Sequence, residues 1–200
     1  AYERHWIADA YQAVLEAHGQ NVAEPVEHDH LFLDRVEMTL DNLAPVTDSV
    51  WTNLFGEDIV AGQMARGWSR EAATRAALER FDDAAGHPEL SALLQRVAEL
   101  KAVHQRFFTV EASERVRRSP RAASFARRYL SFGFNPLRPV GVSRKAFREF
   151  VASVCPTVGD TNLLLQRADE PLQSSPETAG TEPLRRALER DGVVNRYALF

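Results

Sequence analysis

PELSALLQRVAELKAVHQRFF, running from Pro88 to Phe108, decides the fold class. Leu90, Leu93, Leu94, Val97, Leu100, His104, Phe107 and Phe108 return at intervals of three and four through this stretch. That spacing stacks them along one side of a helix with 3.6 residues per turn. Proline suits the first position, because its missing N–H has no intrahelical partner there in any case. The pattern predicts one long helix from Pro88 to about Val116, the strongest periodic signal in the chain.

The same logic extends upstream. Ser69 opens a helix to about Ala85, with Gly86 placed for a left-handed end. A glycine-punctuated stretch carrying Ile59, Val60 and Met64 precedes it. Asp48 caps a short helix with Val50, Trp51, Leu54 and Phe55. Pro25 to Asn42 reads as a helix whose buried face is Leu31, Phe32, Val36 and Leu40. The first helix spans Tyr2 to Ala17, with an apolar stripe from Trp6 to Leu15 that His18-Gly19 ends.

Downstream, Pro120 starts a helix holding Phe125, Tyr129 and Leu130. FGFNPLRPVG (132–141) has two prolines and two glycines and reads as a loop. Ser143 caps a helix with Phe147, Phe150 and Val151, and Val158 to Leu165 suits a strand as well as a helix. The segment 166–182 is rich in Ser, Pro, Glu and Thr and reads as a flexible, solvated linker. It leads to a short helix, Pro183 to Arg190, within a C-terminal tail (183–200).

The expected fold is therefore all-α: a single bundle-like domain of six or seven helices over residues 1–165, with a poorly structured C-terminal tail. A chain of 200 residues with 44% hydrophobic side chains can bury a core without disulfides. The single cysteine, Cys155, reads as a buried thiol. No apolar run reaches the roughly 18–20 residues that cross a bilayer, and the N-terminus shows no apolar leader; both argue against a membrane and for the cytoplasm.

Charge is segregated. Residues 1–60 hold twelve acids against Arg4 and Arg35, a balance of −10, while residues 115–148 hold ten bases and no acid, a balance of +10. Arg115, Arg117, Arg118, Arg121, Arg127 and Arg128 lead the basic segment. The arginine fork binds carboxylate or phosphate in two-point fashion. These residues point to an acidic protein or peptide partner, or to a homo-oligomer formed by the opposite charges. The net charge of −4 argues against nucleic acid, as does the lack of helix-turn-helix, zinc or RNP patterns.

Two places suit a metal. Glu27 and His30 form E-x-x-H, which sets a carboxylate and an imidazole on one helical face, as in di-iron carboxylate bundles. His104 lies inside the apolar stripe of the long helix. The leucine spacing from Leu90 to Phe107, with His104 within it, is similar to the proximal-histidine helix of bacterial globins. That resemblance implies a buried imidazole binding haem iron. No G-x-S-x-G, phosphate-binding glycine loop or dinucleotide fingerprint occurs. Function has two readings: a binding or accessory protein with an arginine-rich face (115–148), or an iron or haem protein using His104, or Glu27 with His30.

Overall fold

A central helix lined with alanine organises the molecule. The computed structural model describes residues 2–19, 56–139 and 142–194, which form seven helices and no strand. These are α1 (Tyr2–Ala17), α2 (Glu57–Ala85), α3 (Pro88–Arg118), α4 (Pro120–Ser131), α5 (Arg144–Val154), α6 (Val158–Gln173) and α7 (Pro183–Arg190). The all-α expectation holds. The helices expected at Pro25 to Asn42 and after Asp48, and residues 195–200 of the tail, lie outside the described residues.

The buried face of α2 is mostly alanine and glycine, with α3, α4, α5 and α6 packed around it. Small side chains let neighbouring helices come close on several sides. Gly62 and Gly67 explain why α2 begins at Glu57, earlier than the Ser69 start that the glycines suggest. A Cβ on Gly62 would sit 2.8 Å from Tyr129 Cγ, and one on Gly67 would run into the Phe108 ring. These glycines are seats for aromatic rings from α4 and α3, and the helix runs through them.

Two apolar clusters result. One joins the C-terminal half of α2 to Phe147 and Val151 of α5, Leu164 and Leu165 of α6, and Leu184 and Leu188 of α7. The other joins the N-terminal half, with Trp68, to Val116 of α3, Leu130 of α4 and Leu172 of α6. Ser119 and Ser143 cap α4 and α5, accepting from Ala122 N (3.0 Å) and Ala146 N (3.2 Å). Thr157 and Asp160 form a reciprocal capping box, and that local bonding resolves the strand-or-helix ambiguity at Val158 to Leu165 as the start of α6.

Residues 166–182 differ from the expected linker. They comprise the end of α6, with Leu172 fully buried, and a knot of turns closed by side chains. Thr178 is fully buried and donates to Leu172 O (2.8 Å), Thr181 donates to Thr178 O (2.6 Å), and the Gln173 side chain bonds Gly180 N and Thr181 O. Hydroxyls and amides that read as solvated serve here as local partners for the backbone.

The long helix also differs from its reading. Its core face runs through Leu94, Val97, Ala112 and Val116, while Leu100 and Phe107 are exposed. The apolar stripe read from sequence advances by alternating threes and fours, a period of 3.5. On a straight helix such a stripe drifts by only about 20° per heptad, yet Leu100 and Phe107 already stand to one side of the core face. Lys101 and Gln105 take the vacated positions, paired with Glu71 (3.5 Å) and Arg75 (2.8 Å) of α2.

Candidate functional site

The six arginines divide into two groups. Arg115 pairs with Glu111 one turn back, Arg118 with Glu57 (2.9 Å) and Arg121 with Asp58 (3.4 Å). Ser119 Oγ also donates to Asp58 (3.1 Å). Here the basic segment meets the last acids of the acidic one, at the N-terminus of α2, where carboxylates also favour the helix dipole. Most other acids of residues 1–60 lie outside the described residues.

Arg117, Arg127 and Arg128 are exposed. α4 buries Ala122, Ala123, Ala126 and Leu130, which leaves Arg127 and Arg128 on its solvent side. Neither forms an ion pair among the described residues. Arg128, in the last turn, complements the helix dipole, so Arg127 is the arginine with the least internal work.

Of the expected metal ligands, Glu27 and His30 lie outside the described residues. His104 is half-buried at the middle of α3, between the core face and the exposed Val103 and Phe107. An apolar cavity among the described residues lies elsewhere. It measures about 610 Å³ and is walled by Tyr11, Val14 and Leu15 of α1, Phe81 of α2, Leu90 of α3 and Phe147 of α5. Its size falls in the range of small-molecule pockets, roughly 300–1,000 Å³. Tyr11 sits in that wall with its hydroxyl buried and unbonded, and burial pushes the phenol above its ordinary value.

Two buried acids or thiols have defined roles. Cys155 is fully buried, and desolvation pushes its thiol up against the opposing pull of Arg80, so it stays protonated at neutral pH. Asp169 of α6 accepts from Leu184 N and Arg185 N (3.2 Å each), supplying from a distant turn the cap that α7 lacks locally. Burial pushes its carboxyl up to about 6, against the lowering effect of those two bonds. Sequence reading missed Asp169, because its partners are fifteen and sixteen residues away and no local capping motif marks it.

Comparison with protein-family models, with curated proteins and with solved structures finds no match to this chain.

Proposed function

We propose that this chain is a binding or accessory protein that presents arginines at the end of α3 and on α4 to an acidic peptide or protein. The observation that supports it is Arg127 and Arg128, held on the solvent side of a helix whose opposite face is anchored in the core. Arg117 lies just beyond, and Arg118 and Arg121 are more than half exposed even while paired. Exposed pairs of that kind contribute only about 0–1 kcal/mol, so an incoming carboxylate competes with them at little cost.

The test is titration with a glutamate-rich peptide at rising ionic strength. Binding weakens steeply as the screening length falls from about 10 Å at 0.1 M to about 3 Å at 1 M. Reversing charge at Arg127 and Arg128 lowers affinity without changing the folded state seen by circular dichroism. Affinity indifferent both to salt and to that double reversal removes the reading.

A second reading, self-association, has an observation of its own. Leu100, Val103, Phe107 and Val110 recur every three or four residues on the outer face of α3 and are 39–67% exposed. That is the spacing of a helix–helix seam. Light scattering of Val103→Glu with Phe107→Glu separates the two: a dimer that becomes a monomer favours the seam. The iron or haem alternative keeps its direct tests, a Soret band lost in His104→Ala or iron lost in His30→Ala.

A further inference from the structure

The turn between α2 and α3 is tight. Gly86 is left-handed (φ 60°), His87 is extended and caps α3, and Pro88 is the first helical residue. This turn sets His87 and Glu89 beside His18, which follows the last residue of α1. His18 Nε2 lies 3.0 Å from Glu89 Oε2. The His18 and His87 rings meet edge to face with centroids 4.3 Å apart. One ligand atom from each of the three residues lies within 4.8 Å of the other two. His87 Nδ1 is buried and has no hydrogen-bond partner.

We infer that His18, His87 and Glu89 form a binding site for a divalent transition metal of the zinc type, which clamps the end of α1 to the α2–α3 turn.

The donor set comes first. Two imidazoles and one carboxylate are a combination zinc takes when three protein groups bind it and a fourth position stays open. Ligands at about 2.0–2.1 Å from a tetrahedral ion stand roughly 3.3–3.5 Å apart. The present spread of up to 4.8 Å therefore closes by about 1.3–1.5 Å, a distance side-chain rotation can supply, and the His18–Glu89 edge is already short enough.

The buried nitrogen is the independent observation. An imidazole nitrogen withdrawn from water without a partner is costly, and a metal bound through Nδ1 is one partner that would remove that cost. An ion pair between His18 and Glu89 leaves that nitrogen unexplained, because His87 takes no part in it.

The site also has a structural consequence. Val14 and Leu15 wall the apolar cavity one turn before His18, and Leu90 walls it directly after Glu89. The clamp therefore stands at one end of the cavity and holds the helix that forms a side of it. Trp6 and Leu15 of α1 stay more than a third exposed, so apolar packing alone holds this helix loosely. A ligand that binds only the docked state stabilises it by mass action.

The experiment uses the full chain, stripped by a chelator and titrated with Zn²⁺ by calorimetry and with Co²⁺ by visible absorption. The expected result is one ion per chain, a melting temperature that rises with zinc, and a cobalt spectrum of a low-coordinate site. His18→Ala and Glu89→Gln change exposed side chains, and circular dichroism verifies that they fold. Each weakens binding by at least ~100-fold, beyond the ~10–100-fold that loss of an outer-shell partner costs. Three outcomes overturn the site: no zinc bound up to about 1 mM, where mass action gives no useful stabilisation; binding unchanged in both variants; or binding lost in His30→Ala and retained in His18→Ala, which places the ion elsewhere.

Discussion

α1 and α7 are both amphipathic, yet they meet the rest of the molecule in opposite ways. α7 has eight residues and buries Leu184, Ala187 and Leu188 completely. α1 has sixteen, and none of its described side chains is buried; Trp6 is 39% and Leu15 45% exposed. In isolation the longer helix is the better formed, since chains under about 12–15 residues hold little helix in water. The shorter one is secured by what surrounds it: a cluster from α2, α5 and α6, and the Asp169 carboxylate at its N-terminus. Helix length and stripe quality say little about how firmly an element is held.

The largest effect that would test this contrast is at Leu184. Its truncation to alanine leaves a cavity in a closed cluster and costs about 2–5 kcal/mol in urea denaturation. A value under about 1 kcal/mol would mean that α7 is as loosely held as α1.

Next in size is the pH dependence carried by Asp169. Its folded carboxyl titrates at about 6, above its ordinary 3.8, so the folded chain binds the proton more tightly than the unfolded one. The stabilisation is full below pH 3.8 and is lost as pH rises through about 6. Two units correspond to on the order of 2–3 kcal/mol. Asp169→Asn flattens stability across that window; an unchanged slope would assign the dependence to other groups.

Gly62 gauges how closely the body around α2 is packed. On helix propensity alone, Gly62→Ala gains about 1 kcal/mol. Against Tyr129 it loses about 1–3 kcal/mol, as overpacking does. Thermal melts distinguish the two signs.

The smallest effect belongs to α1. Leu15→Ala costs under about 1 kcal/mol, as for other half-exposed positions. A larger loss would show α1 to be as well anchored as α7.

Much of the fold is legible along the chain. α1 ends where His18-Gly19 ends the stripe, α3 starts at Pro88, Gly86 is the left-handed residue expected, and Ser143 caps as its position suggests. The candidate sites are less legible. The arginines are obvious as a charge run, and Arg115 pairs locally with Glu111, but the pairing of Arg118 and Arg121 depends on Glu57 and Asp58, about sixty residues away. His18 and Glu89 are seventy-one residues apart and share no spacing pattern. His104, conspicuous in sequence, stands outside the wall of the apolar cavity beside α1.

What the order of residues determined by itself is local: where most of the described helices start and stop. Caps, prolines and a 3.6-residue period act within a turn or two, so a linear reading captures them. Tertiary structure alone decided which side of α3 faces the core, that Gly62 and Gly67 are ring seats within one helix, and that 166–182 is folded in rather than solvated. Burial depends on what arrives from elsewhere in the chain, and local periodicity carries no record of that neighbour.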